Sequence, residues 1–270
     1  MAAKGVFRKQ AVGAMVAALG LVAAPVSAFQ SVPAEAMFDG QWHFSVTPYA
    51  WLPTIYTSAT FGPMQINTHE TVMDYWSHLS FAFFIAAEAR KGDWSAFADY
   101  NYVKFSGANS GLKPIDRPGL PRALPYDSST DLKSNILTLA GAYTVLRQGA
   151  SHLDVVAGAR YLNMDLNFNY SVFPVPAEVD FSRRLNKWDG IVGIKGQIDL
   201  SDDRRWFMPY YADIGSGSNN WTWMAMLGTG YRFDLCDVTL GVRSLSYNFD
   251  GRFGVDMRYT GFALGADFKF

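Results

Sequence analysis

The fold is decided at the end of the chain, by Arg258 to Phe270, which reads RYTGFALGADFKF. Taken every second residue, Thr260, Phe262, Leu264, Ala266, Phe268 and Phe270 form one largely apolar face. Tyr259, Gly261, Ala263, Gly265, Asp267 and Lys269 form the other, which is small or polar. A period of two belongs to a β-strand, and faces this unlike belong to a strand between two different solvents.

The same alternation recurs upstream. In Gln41 to Leu52, Trp42, Phe44 and Val46 alternate with His43, Ser45 and Thr47, and Pro48, which has no amide hydrogen for a ladder, predicts a bulge or break. Phe81 to Arg90 sets Glu88 and Arg90 on one face, and Trp94 to Phe105 sets Asp99 and Asn101 opposite Tyr100 and Tyr102. Leu132 to Leu146 and His152 to Phe168 follow, the latter with Asp154, Gly158 and Arg160 together. Lys187 to Leu200 turns Val192, Ile194 and Ile198 one way and Asp189, Lys195 and Asp199 the other. Arg204 to Ile214 carries Asp213, Trp221 to Phe233 carries Arg232, and Val238 to Phe249 carries Arg243 on their polar sides.

The connections alternate too. Residues 91–93, 147–150, 201–203 and 234–237 are short turns. Residues 53–79, 107–131, 167–186, 215–219 and 250–256 are mostly long. The segment 107–131 holds four prolines and no periodicity and is expected as a loop, as is 167–186. The segment 53–79 is expected to hold a hairpin around Gly62-Pro63 and a helical turn or two between Glu70 and Leu79. Short turns on one side and long loops on the other are the pattern of an antiparallel up-and-down barrel in a membrane. The expectation is an all-β transmembrane barrel over residues 41–270 with about ten strands by this pattern, twelve or eight being the alternatives.

Location is read at the other end. Lys4, Arg8 and Lys9 precede an apolar run, Ala11 to Ala24, and Pro25-Val26-Ser27-Ala28 supplies a small-x-small cleavage pattern. This reads as a signal peptide over residues 1–28, with 29–40 as a periplasmic tail. Cleavage there removes three of the 23 basic residues and none of the 24 acidic ones, leaving 20 against 24. No basic surface of the kind nucleic acid demands is present. The single cysteine, Cys236, excludes an internal disulfide framework.

The polar faces carry charges of both signs: Glu88, Arg90, Asp99, Asp154, Arg160, Asp189, Lys195, Asp199, Asp213, Arg232, Arg243 and Asp267. Charge on a lipid face is expensive, so these twelve are the candidate lumen-lining residues. Ten strands enclose a narrow interior, whereas wide aqueous channels need about 16. A mixed-charge network is therefore expected to fill the lumen.

Taken together, the export segment, the alternating strands, the short and long connections and the terminal Phe270 resemble the small proteobacterial outer-membrane β-barrels, a superfamily that includes opacity-type porins. The resemblance implies outer-membrane lipid and lipopolysaccharide as surroundings. It also implies recognition of the terminal strand, with Phe270, by the barrel assembly machinery. It names no catalytic residue.

Chemistry is thin. His78-Leu79-Ser80 resembles the His-x-Ser of lipid A deacylases, but that family carries its pair near the C-terminal end. No paired-carboxylate motif like that of the omptin proteases is found. His69, Glu70, Asp74 and His78 have helical spacing but fall short of a fixed zinc geometry. No nucleotide-binding glycine motif appears, and no cofactor is expected. Three functions are carried forward: a structural or surface barrel whose long loops hold an extracellular ligand, a narrow channel for small solutes, and a membrane-embedded lipid or peptide hydrolase.

Overall fold

Strands with one apolar and one polar face can bury every backbone group in a bilayer only by closing on themselves. The computed structural model describes residues 36–61, 64–114, 123–172, 177–218, 220–249 and 255–270, and these form one antiparallel sheet that closes. The strands are β1 (Trp42–Phe61), β2 (Met64–Glu70), β3 (Leu79–Lys91), β4 (Trp94–Pro114), β5 (Ala123–Gln148), β6 (Ser151–Val172), β7 (Ala177–Asp199), β8 (Trp206–Gly217), β9 (Asn220–Arg232), β10 (Asp237–Phe249) and β11 (Val255–Lys269). From β3 onward each strand pairs with the next, and β11 returns to β1. Ten strands make the wall. The eleventh, β2, pairs only with the outer half of β1, Ile55 opposite Glu70 through Phe61 opposite Met64. No described helix is long and apolar enough to cross a membrane.

The closing ladder sets Val46 opposite Phe268 and Leu52 opposite Phe262. The amide of Phe44 donates to the carbonyl of Phe270 at 2.7 Å, and the amide of Phe270 donates back at 2.9 Å. Pro48 interrupts without shifting: the β1–β11 pairing skips Thr47 and Pro48 in constant register, and the β1–β3 pairing ends at Pro48 opposite Ile85. Beyond that point the connection between β2 and β3 forms a short helix, α1 (Val72–Tyr75), capped by Thr71 and Asp74. The Tyr75 hydroxyl donates to the Pro53 carbonyl at 2.5 Å.

Two expectations are corrected. The segments 107–131 and 167–186 are not loops: β4 and β5 stay paired out to Pro114 opposite Ala123, and β6 and β7 to Val172 opposite Ala177. Their sequences lack alternation, but a backbone ladder needs none, and the pairing continues. Ala36–Phe38 forms a 3₁₀ turn at the end of the barrel where both described termini lie, with Met37 buried. The expected signal peptide falls outside the described residues.

The exterior is apolar. Leu240, Leu264 and Val192 stand outward, each half exposed or more. Ring pairs mark one rim, Trp42 on Phe44, Phe44 on Phe270, Trp94 on Tyr143 and Trp206 on Tyr231. Phe81 with Tyr102 and Tyr161 with Trp188 lie toward the opposite rim. This is an apolar band between aromatic girdles. The tight turns at the first rim use Gly92 and Gly149 at φ +58° and +62°, a region costly for any residue with a Cβ.

Candidate functional site

The inner faces bring the charged side chains together across the barrel. Arg160 on β6 is wholly buried and reaches past β7 to Asp213 on β8. One guanidinium nitrogen donates to Asp213 Oδ1 at 3.0 Å and to Thr222 Oγ1 at 3.3 Å, the second donates to Asp213 Oδ2, and Nε donates to Thr138 Oγ1 at 3.2 Å. Four of the five N–H donors of this cation are met, two of them by one carboxylate, and a buried charge is tolerated when it is paired and hydrogen-bonded in this way. Arg243 on β10 crosses the lumen to Asp99 on β4 at 2.7 Å and donates to the Tyr49 hydroxyl at 2.6 Å. That hydroxyl in turn donates to Asp99 at 2.5 Å, and Asn101 donates to the same carboxylate at 3.0 Å.

A third group lies toward the girdle of Trp42 and Trp94. Arg90 on β3 pairs with Asp154 on β6 at 2.5 Å and with Glu88 at 3.0 Å, and Glu88 also receives Lys195 of β7 at 2.6 Å. Thr144 accepts from Arg90 and donates to Asp154 at 2.7 Å. Arg232 pairs with Asp199 at 2.9 Å. Asp237 receives Lys269 at 2.5 Å, with Asp267 at 3.7 Å from the same ammonium and bonded by Thr47. Of the twelve candidates, eleven thus lie in cross-strand ionic groups. Asp189 differs: it is directly opposite Arg160 in the ladder, but Arg160 turns to Asp213, and Asp189 accepts only the Asn220 amide at 2.6 Å.

One feature of the interior escaped the sequence reading. Trp51, Phe84, Ile136, Leu162, Met224, Leu245 and Tyr247 form a buried apolar cluster inside the barrel. These residues share the inward parity of the charged ones, as Leu162 does with Arg160 and Leu245 and Tyr247 do with Arg243. That parity is the signal that would have found them. Arg243 lies beneath the Trp51 ring at 4.9 Å, so the ionic and apolar layers are in contact.

At the rim carrying the tight turns, the 3₁₀ turn covers part of the mouth. The Phe38 ring lies between the guanidinium groups of Arg90 and Arg147, at 4.8 and 4.9 Å, and meets His152 edge-on at 5.1 Å. Beside it, the Gln41 amide and the His43 ring hold the exposed Asp39 carboxyl below the usual carboxylate range. Between this turn and the Arg243–Asp99 layer is a cavity of about 330 Å³.

Among the described residues, the loop side chains singled out for chemistry have other partners. His78 Nδ1 is 3.2 Å from Ser77 Oγ, whereas Ser80 stands exposed on β3. His69 stacks on Tyr56 at 4.6 Å. Asp74 is occupied by the Thr71 hydroxyl and amide, which hold its carboxyl below the usual range. Among the described residues no three His, Cys, Asp or Glu side chains converge as metal ligands.

Compared with solved structures, the chain superimposes on the outer-membrane protease OmpT of Escherichia coli with a TM-score of 0.52 at 11% identity, over 86% of this chain and 98% of that one. The chain has the fold of an outer-membrane β-barrel. The translocator domain of the autotransporter NalP from Neisseria meningitidis matches 96% of this chain and 97% of its own at 12% identity and a TM-score of 0.46. The attachment invasion locus protein Ail of Yersinia pestis matches 85% of this chain and 99% of its own at 10% identity and a TM-score of 0.36. At such identities the barrel likeness is one of architecture alone. No family model matches the sequence, and no curated protein matches it.

Proposed function

We propose that this protein is an exported, integral outer-membrane barrel with a structural and surface role. Residues 1–28 direct export, Phe270 and its strand are read during assembly, and lipid with lipopolysaccharide surrounds the wall. The observation that carries the reading is the filled interior. Two ionic layers and the apolar cluster between Trp51 and Tyr247 lie across the path that a solute would take. With the lumen so occupied, the parts available to a partner are the outward hairpins β4–β5 and β6–β7 and the β1–β2 flap. These continue as paired ladders beyond the apolar band, with polar sequences suited to holding an extracellular ligand.

The reading is tested by fractionation combined with protease shaving of intact cells. The mature chain is expected in the outer-membrane fraction, with heat-modifiable gel mobility. External protease is expected to cut within 108–129 or 170–180 and to spare the turns at 92–93 and 149–150. Recovery in the soluble periplasmic fraction, or cleavage at those turns in sealed cells, would overturn it.

A further inference from the structure

The outer face of the wall carries a charged row. The ladders set Phe81 opposite Lys104, Lys104 opposite Lys133, Lys133 opposite Asp165 and Asp165 opposite Arg184, so these side chains share the outward face of β3 to β7. Two rows nearer the middle of the apolar band, Tyr161 packs on Trp188 at 4.8 Å. In the row between, Asn135 accepts from Tyr100 at 2.9 Å and donates to Asn163 at 3.2 Å, and Asn163 donates to Asn186. Rings, then amides, then charges is the order in which a wall passes from hydrocarbon to headgroups. At about 3.3 Å per residue, the charged row lies roughly 13 Å along the strands from Trp188.

The charges in this row do not cancel. Its one carboxylate, Asp165, is taken by Arg184 Nε at 2.5 Å, an exposed pair that leaves the terminal nitrogens of the guanidinium to other acceptors. Lys104, half-buried, and Lys133, exposed, stand directly opposite each other, and neither has an acidic partner among the described residues. Asp131 stands one row further out on the same face and forms no ion pair with either lysine. Like charges directly opposite in a ladder, with Cβ atoms about 5 Å apart, destabilise the pairing. An anion held between the two ammonium groups removes that cost. Lysine meets phosphate as a point charge, and the arginine fork meets it through two bonds, so this set of cations suits a phosphate.

We propose that Lys104 and Lys133, flanked by Arg184, bind a phosphate on the headgroup of a lipid A molecule in the outer leaflet. A lipid fits better than a soluble polyanion because the cations face out from the wall beside Phe81, and the exposed rings of Phe81 and Trp188 lie where its acyl chains would run. The inference rests on the outer-membrane reading above and gives the lipid contact a defined place on the barrel.

The test uses the full mature chain, refolded in non-ionic detergent micelles and titrated with bisphosphorylated lipid A or its fully dephosphorylated form, with bound lipid counted by native mass spectrometry. The wild type is expected to bind lipid A about tenfold or more tightly than the dephosphorylated form. Lys104→Gln with Lys133→Gln is expected to lose about tenfold in affinity for lipid A and to bind the dephosphorylated form as the wild type does. Equal affinity of the wild type for the two lipids, or equal affinity of wild type and double variant for lipid A, overturns the proposal. So does a double variant that keeps lipid A but loses a sulfated heparin oligosaccharide, which would assign the row to an extracellular polyanion. Heat-modifiable gel mobility of each sample separates the two readings: a folded barrel without phosphate-dependent binding overturns this site and leaves the outer-membrane reading standing.

Discussion

At the scale of the residue, the account rests on Arg160 and Asp213. Both are fully buried, and the guanidinium spends its donors on one carboxylate and two threonine hydroxyls. Removing one partner strands an unpaired charge, so Arg160→Ala or Asp213→Ala is expected to cost about 3–5 kcal/mol, whereas Arg160→Met with Asp213→Leu is expected to cost far less than the two singles together. Urea unfolding of the refolded protein, followed by heat-modifiable mobility, checks this; additive costs would mean that the pair is not coupled. Cys236 gives a second prediction, outside the membrane-spanning strands. Burial first, and then the Asp237 and Asp267 carboxylates, push its thiol above the usual range. A raised value means less thiolate at a given pH. Maleimide labelling of the native protein near pH 8 is therefore expected to be slower than that of the urea-unfolded chain, with the gap closing as pH rises. Equal rates at pH 8 would contradict the half-buried setting.

At the scale of the element, β11 holds what was most legible. Its outward Phe262 and Leu264, its inward Asp267 and Lys269 and its aromatic end were all readable at period two, and the closed ladder places each as that alternation requires. Leu264 stands opposite Leu240 on one side and Ala50 on the other, in the middle of the apolar band. Leu264→Arg is expected to cost about 2–4 kcal/mol, the penalty of a cation near the bilayer midplane. An unchanged urea midpoint would mean that this face does not meet lipid. The hairpins β4–β5 and β6–β7 were illegible for the complementary reason. Ser106 pairs with Asp131 and Gly107 with Thr130, so the backbone ladder continues where the composition carries no alternation. Pro48 was half legible: the missing amide opens a gap in pairing, and the surrounding strands hold the register without a bulge.

At the scale of the whole molecule, the number of wall strands and the side on which the turns lie followed from connection lengths. The ionic interior followed from the parity of charges such as Arg243 and Asp99. Which charges meet did not follow, because a barrel joins strands distant in sequence: Arg243 and Asp99 come from β10 and β4, and Arg90 and Asp154 from β3 and β6. Nor did the apolar cluster follow, because Leu162 and Leu245 differ from lipid-facing leucines only in parity. Those layers lead to the central claim, that the lumen of this barrel is closed. The direct measurement is planar-bilayer recording of the purified, folded protein at both polarities in molar potassium chloride. The account predicts a bilayer that stays at baseline after verified insertion. Reproducible unitary steps from the wild type would contradict it.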